Sequence, residues 1–259
     1  MKFYIDDTTY IDTNKPLDIS IPLSDSEKNP RAWYVEPPRM EPVRTEHYTG
    51  SVKEGGSVNF RDIYFNPHGH GTHTECLGHI TREVHSVNKV LTNFFFKARV
   101  VSILPKRITQ ENGDVDFVIG PDQINLEAFD GEALIVRSLP NDGTKLHTNY
   151  SSTNPPYFDI RCVEKLLNAG IDHLLIDLPS VDRESDGGAL AFHHAFWEVP
   201  QRPSFKRTIT EMIFVDNSIE DGDYILEIQM APFHNDASPS RPVLYQIQKK
   251  SWPSDQLFL

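Results

Sequence analysis

The most informative stretch of the sequence spans residues 67–79 and reads PHGHGTHTECLGH. Imidazole and carboxylate groups are the usual ligands of zinc and similar divalent cations. Side chains two positions apart lie on the same side of an extended chain, so His73 and Glu75 can converge on one ion. The spacing therefore predicts a metal site within this stretch.

The glycines of this stretch determine which further histidine can reach the ion. Gly69 and Gly71 relax the backbone on either side of His70 and allow a tight bend that brings His68 toward the same point. Spacing alone leaves His68 and His70 both open as the third ligand. The alternative interpretation is a histidine-rich surface loop with incidental metal affinity.

Composition and charge restrict the class of protein. The 259 residues contain 25 Lys and Arg against 37 Asp and Glu, a formal charge of -12, which disfavours nucleic acid and anionic membranes as partners. Hydrophobic residues at 38% and charged residues at 24% are typical of globular proteins. The absence of repeats or low-complexity tracts predicts one domain over residues 1–259, and we expect a cytoplasmic location because no apolar segment of signal-peptide or membrane-span length occurs.

Apolar runs place the chain in the α/β class. Residues 100–104, 133–136 and 174–176 form short apolar runs of the length of buried strands. Residues 160–169 carry apolar side chains at helical spacing, and Gly170 can end that helix. The prediction is a mixed α/β fold with more strand than helix.

The stretch at 67–79 resembles the signature of the metal-dependent cyclase/hydrolase family that includes bacterial kynurenine formamidase and isatin hydrolase, His-x-Gly-Thr-His-x-Asp-x-Pro-x-His. Four residues match it in register: Gly71, Thr72, His73 and His79. Three positions depart from it: Glu75 for Asp, Leu77 for Pro, and Gly69 for the first His. A branch of the family with Pro-His-Gly-x-Gly-Thr-His-Thr-Glu favours His68 over His70 as the first ligand.

Other segments extend the resemblance over most of the chain. Residues 18–23 are similar to the family's N-terminal Asp-Leu-Ser strand, and residues 170–182 resemble its central strand and the following loop. Residues 191–196 resemble the segment with a further ligand histidine, and residues 209–213 resemble the strand whose Glu binds metal and transfers protons. The resemblance implies that one or two divalent ions, zinc or else manganese, are held by five residues: His68, His73, Glu75, His193 and Glu211.

The residues themselves leave structural alternatives open for these positions. Without the resemblance, His193 would be interpreted as a packed histidine beside Phe196 and Trp197. Glu211 lies among apolar residues, so an inward-pointing carboxylate would need a partner. His79 matches the acid/base position of the family, with a structural histidine as the alternative.

The resemblance implies a swivelling β/β/α domain with a mixed, partly closed central sheet, which assembles as a homodimer or homotetramer. The implied activity is hydrolysis of a C–N amide bond in a small aromatic substrate by metal-activated hydroxide, as in arylformamidases, with His79 and Glu211 as the catalytic residues. The alternatives are a cyclic amide or lactone hydrolase of the isatin hydrolase type, a non-catalytic metal-binding member of the fold, and a purely structural metal in a closed shell.

Overall fold

A computed structural model describes residues 1–111 and 113–250. Within these ranges the strands are β1 (Lys2–Tyr4), β2 (Thr9–Asp12), β3 (Leu17–Asp18), β4 (Arg39–Pro42), β5 (Arg44–Thr45), β6 (Tyr48–Thr49), β7 (Arg61–Tyr64), β8 (His73–Glu75), β9 (Phe95–Ile103), β10 (Lys106–Thr109), β11 (Val115–Ile119), β12 (Ala133–Ser138), β13 (Tyr157–Phe158), β14 (His173–Ile176), β15 (Thr208–Glu211), β16 (Gly222–Met230), β17 (Ala237–Gln246) and β18 (Gln248–Lys249).

Helices are fewer than strands in the described ranges, as predicted. The α-helices are α1 (Val87–Val90), α2 (Arg161–Asn168) and α3 (Ala191–Phe196). The 3-10 helices are η1 (Val52–Glu54), η2 (Leu77–Ile80), η3 (Pro121–Gln123) and η4 (Gly143–Leu146). No helix in the part of the chain that the structure describes is long and apolar enough to cross a membrane.

Seven strands close into a mixed barrel in the order β16-β9-β12-β14-β15-β8-β17. The barrel closes because β17 pairs antiparallel with β16, and β3 adds to the other edge of β17. The strands β9, β12, β14 and β15 run parallel to one another, whereas β8, β16 and β17 pair in antiparallel fashion. The predicted mixed α/β fold with a closing central sheet is confirmed.

The three apolar runs form adjacent barrel strands that are covered on both faces. Val100, Ile135 and Leu175 belong to a cluster that fills the barrel interior. Their neighbours in the chain, such as Leu134 and Ile176, belong to a second cluster that packs against α2 and α3. Burial on both faces explains why these strands are continuously apolar rather than alternating.

Two predicted elements differ from the structure at their ends. The helix predicted over 160–169 spans 161–168, and Gly170 ends it with φ +77° as predicted. The strand predicted over residues 18–23 is wrong beyond its first residues, since β3 ends at Asp18 and the Ile19 N–H makes one further hydrogen bond to β17. The Asp18 carboxylate accepts the Ser20 N–H at 2.9 Å, which turns the chain out of the ladder.

One prediction falls partly outside the described residues. The single domain predicted over 1–259 includes residues 251–259, which lie beyond the described ranges. It stays a prediction.

Candidate metal centre

The centre of the site is formed where β8 pairs with β15. The antiparallel register sets His73 directly opposite Glu211, and the His73 Nε2 lies 3.5 Å from the Glu211 Oε2. Glu75 lies two residues further along β8 on the same face. All three side chains are buried, with exposed fractions of 3% or less. The predicted convergence of His73 and Glu75 occurs, and Glu211 joins them.

The chain bends before β8 and returns His68 to this centre. Gly71 has φ +112°, a backbone conformation that favours glycine. The His68 Nδ1 lies 2.9 Å from the Glu75 Oε2. His70 lies elsewhere: its Nε2 donates to the Glu36 carbonyl at 2.6 Å, and its Nδ1 accepts the Asn66 N–H at 2.7 Å. Both ring nitrogens of His70 are therefore engaged outside the cluster.

Helix α3 supplies the next histidine. The His193 Nε2 lies 3.1 Å from the Glu75 Oε1 and 3.9 Å from the Glu211 Oε1. Asp182 accepts the backbone N–H groups of Phe192 and His193, so it holds the first turn of α3 against the site. His193 does pack beside Trp197, but its ring is directed at two carboxylates. The interpretation of His193 as a merely packed histidine therefore does not account for its position.

Each of these three histidines has one ring nitrogen held by an oxygen outside the cluster, and His73 and His193 are buried. The His73 Nδ1 donates to the Gly71 carbonyl at 2.9 Å, and the His193 Nδ1 lies 2.7 Å from the Asp182 Oδ2. The His68 Nε2 lies 2.8 Å from the Asp236 Oδ2. Ligand histidines in proteins are oriented by such outer acceptors, which leave the other nitrogen for the ion.

Three buried atoms of the centre make no well-aligned hydrogen bond with the described residues: the His73 Nε2, the Glu211 Oε1 and the Glu75 Oε2, of which the last lies 2.9 Å from the His68 Nδ1. Buried polar groups are normally paired, because an unpaired one costs about 1–3 kcal/mol. An ion among these atoms would supply the missing partner. Groupings within the described residues that could hold one include His68 with His73 and Glu75, and Glu75 with His79 and His193. The donor set therefore fits a divalent cation.

The charges of the centre are strongly coupled. Burial alone lowers the pKa of His193, but its contacts with Asp182 and Glu75 raise that pKa to about 10. Burial acts in the same way on His68, and its contacts with Asp236 and Glu75 raise its pKa to about 10. Protons on these rings neutralise the surrounding carboxylates when no cation does.

The two central carboxylates are driven in opposite directions. Burial raises the pKa of Glu75, but the nearby histidines, His79 foremost, hold it well below its usual range. Burial and repulsion from Glu75 raise the pKa of Glu211. Two carboxylates in one buried site cannot both ionise without a compensating positive charge.

His79 lies at the rim of this cluster in η2. Its side chain is 31% exposed, and its Nε2 lies 4.0 Å from the Glu75 Oε2. Its ring stacks on that of His68 with centroids 4.1 Å apart, and its Nδ1 lies 3.6 Å from the Asp236 Oδ2. His79 is thus the more accessible histidine of the stacked pair.

Sequence reasoning missed the roles of Asp182 and Asp236. Asp182 ends the segment 170–182 that was recognised by resemblance, but nothing in that match pointed to its contact with His193. Asp236 lies in no recognised motif and reaches the site only because β17 begins directly after it. Cys76, the cysteine next to Glu75, does not join the site: it is a buried free thiol whose Sγ donates to the His85 carbonyl at 3.3 Å.

A cavity of about 350 Å³ opens onto the cluster. Its apolar lining residues are Trp33, Val35 and Leu190. His68, His79, His193 and Glu211 also line it, so three of the predicted ligands and the rim histidine face a common space. The volume lies at the lower end of the range for small-molecule sites.

The comparisons with known proteins identify the family. The family model described as "Putative cyclase" matches residues 17–183, which is more than half of the chain, and the chain belongs to this Cyclase family. No curated protein matches the sequence.

Solved structures share the fold over nearly the whole chain. A potential metal-dependent hydrolase with cyclase activity is 15% identical and has a TM-score of 0.62, covering 89% of this chain and 97% of its own. A predicted metal-dependent hydrolase from Bacillus stearothermophilus is 14% identical with a TM-score of 0.60, covering 89% and 98%. Isatin hydrolase A from Ralstonia solanacearum is 15% identical with a TM-score of 0.59, covering 89% and 91%. At these identities the likeness shows a common fold.

Proposed function

We propose that this protein is a metal-dependent hydrolase that cleaves a C–N amide bond in a small aromatic substrate. The observation that carries the proposal is the orientation of three histidines, His68, His73 and His193. One ring nitrogen of each is held by an outer oxygen, and the other faces the buried carboxylate of Glu75, of Glu211 or of both. The proposed ligands of one or two divalent ions are His68, His73, Glu75, His193 and Glu211. Zinc is the first expectation and manganese the second.

The ligand choice follows from the hydrogen bonds already described. His68 is proposed rather than His70, because both nitrogens of His70 are bonded to backbone groups outside the cluster. Glu75 can serve as a bridging carboxylate if two ions bind, since its two oxygens face different histidines.

A bound divalent cation would lower the pKa of water and polarise a carbonyl group. Hydrolysis breaks the C–N bond, so a proton must leave the attacking water and reach the departing nitrogen. His79 and Glu211 line the cavity, and we propose that they hold and pass this proton, His79 at its Nε2 and Glu211 at the carboxylate oxygen that does not hold the ion. The open cavity beside the cluster favours turnover over a closed structural shell.

The lining of the cavity supports a small substrate with apolar and polar parts. The apolar side chains of Trp33, Val35 and Leu190 suit an aromatic ring, while the polar lining residues suit the amide. N-formylkynurenine and isatin represent an open-chain and a cyclic amide. The solved neighbours named isatin hydrolase make isatin the natural second compound to test.

The first test combines metal analysis with turnover. We expect the purified protein to contain a divalent metal and to hydrolyse one of the two compounds, and His73→Ala to lose both properties. His47→Ala is the matched control, because the His47 side chain is 86% exposed and its Nε2 lies 3.9 Å from the Glu46 Oε2 rather than against a residue of the cluster.

The other outcomes decide between the alternatives. Metal that His73→Ala removes, without turnover of either compound, would favour a non-catalytic metal-binding member of the fold. A wild-type protein that binds no metal after reconstitution would refute the proposal. The homodimer or homotetramer and the cytoplasmic location stay predictions, which sizing in solution and cell fractionation can check.

A further inference from the structure

Asp236 contacts two histidines for which different roles are proposed. Its Oδ2 lies 2.8 Å from the Nε2 of His68 and 3.6 Å from the Nδ1 of His79. The contact with His68 is short enough for a hydrogen bond, whereas the contact with His79 is within ion-pair distance only. The two rings stack with an interplanar angle of 28°. A single carboxylate oxygen therefore touches both members of a stacked pair.

The backbone builds this contact rather than leaving it to a mobile surface side chain. Ala237 pairs with Glu75 in the β8–β17 ladder, and the Asp236 carbonyl accepts the Cys76 N–H at 3.0 Å. A Cβ atom added to Gly78 would lie 3.0 Å from the Asp236 Cβ and would collide with the His85 carbonyl oxygen. Glycine beside His79 thus permits the close approach of the Asp236 loop.

We propose that Asp236 is a positioning residue of the hydrolase, and that it fixes the proposed ligand His68 and the proposed proton carrier His79 against each other. The inference rests on the proposed function. Because Asp236 accepts the proton of the His68 Nε2, the His68 Nδ1 remains free toward Glu75. Because Asp236 faces the His79 Nδ1, the His79 Nε2 is turned toward the centre and can exchange a proton with the reacting atoms.

Asp182 provides a matched comparison within the same site. It too is a carboxylate bonded to a proposed ligand histidine, since its Oδ2 lies 2.7 Å from the His193 Nδ1. Within the described residues, Asp182 forms no ion pair with His79. Loss of either carboxylate should therefore weaken metal binding, whereas only loss of Asp236 should misplace His79.

The experiment compares Asp236→Asn with Asp182→Asn. Metal dissociation constants come from competition with a chromophoric chelator, and steady-state rates are measured at saturating metal. We expect both variants to bind metal about 10- to 100-fold more weakly than wild type. Saturating metal should restore kcat of Asp182→Asn to within about twofold, but leave kcat of Asp236→Asn lower by about tenfold with little change in KM.

A spectroscopic readout tests the position of His79 without relying on turnover. In the zinc-loaded protein, ¹⁵N–¹H correlations of the imidazole rings report which nitrogen carries the proton. We expect His79 to populate the Nδ1–H form in wild type and in Asp182→Asn, and a mixture of forms in Asp236→Asn. Asp236→Glu restores a carboxylate and should recover part of the kcat if the asparagine variant proves unstable.

Three results would overturn the proposal. The first is recovery of full kcat by Asp236→Asn at saturating metal with an unchanged His79 proton form. The second is loss of a whole equivalent of metal in Asp236→Asn alone, which would make Asp236 a ligand. The third is an Asp236→Glu protein that folds and behaves no better than Asp236→Asn. If wild type binds metal but hydrolyses neither compound, the proposed function fails, while the metal affinities and the His79 spectra still judge the positioning role.

Discussion

Metal binding to this protein should release about two protons per site at neutral pH. The perturbation is the addition of zinc to protein stripped of metal with a chelator. Without a cation, the contacts of His68 and His193 raise the pKa of each ring to about 10. A nitrogen can bind an ion only after its proton has left, so each of these rings must lose one proton.

The expected number follows from these two pKa values. At pH 7 a ring with a pKa of about 10 is almost fully protonated, so the two rings release about two protons together. Two histidines with the ordinary pKa of about 6.5 would each be about one quarter protonated and would release about half a proton together. Linkage then makes metal affinity rise with pH, by about 100-fold per pH unit for two protons.

The assay is calorimetric titration of zinc at pH 7 in two buffers with different ionisation enthalpies, because the difference in heat counts the protons. Asp182→Asn removes one of the groups that raise the pKa of His193, so it should release fewer protons. A release of half a proton or less from the wild type would refute the reasoning, since the rings would then be neutral before the ion arrives.

Three further changes test other parts of the structure. Trp33→Ala removes the largest apolar side chain of the cavity wall and should raise KM for an aromatic substrate more than it lowers kcat, as steady-state kinetics would show; equal loss with a non-aromatic amide would contradict the proposed wall. Gly71→Ala places a Cβ at φ +112° and should destabilise the fold by about 1 kcal/mol or more, measured by urea denaturation, with Gly143→Ala as a control at an unstrained glycine. Burial lowers the pKa of His173 to about 4, so the unfolded chain binds its proton first as pH falls, and this residue should cost stability between about pH 6.5 and 4; His173→Gln should flatten that part of the pH–stability curve, and an unchanged slope would contradict the neutral buried ring.

Local sequence patterns predicted the parts of the site that depend on local geometry. The two-residue spacing of His73 and Glu75 needs only an extended backbone to bring them together. The bend that returns His68 to the site needs only the two glycines between His68 and His73. His193 and Glu211 came from resemblance, because nothing local to either residue shows what lies across from it. Their positions are set by the pairing of β15 with β8 and by the capping of α3.

The missed features are those that depend on pairing between distant parts of the chain. Asp236 lies 168 residues from His68, and no local pattern near Asp236 differs from an ordinary polar turn. The strand predicted at residues 18–23 failed for a related reason. The Ile21 N–H donates to the Thr72 hydroxyl at 2.7 Å rather than to a strand carbonyl. Thr72 is 51 residues away in the chain, so the sequence near Ile21 does not reveal this partner.

The short strand β8 explains how residues from three segments, β8 itself, β15 and the start of β17, reach one point. It pairs with β15 on one side and β17 on the other, so its register sets the positions of Glu211 and of the residue before Ala237 together. A slip by one residue would turn His73 and Glu75 into the barrel and Thr74 toward the site. The hydroxyls of Thr74 and Thr210, 2.8 Å apart on the opposite face, oppose such a slip because it would leave both buried without this partner. A pair of threonines on the face opposite the site therefore helps to hold its proposed ligands in place.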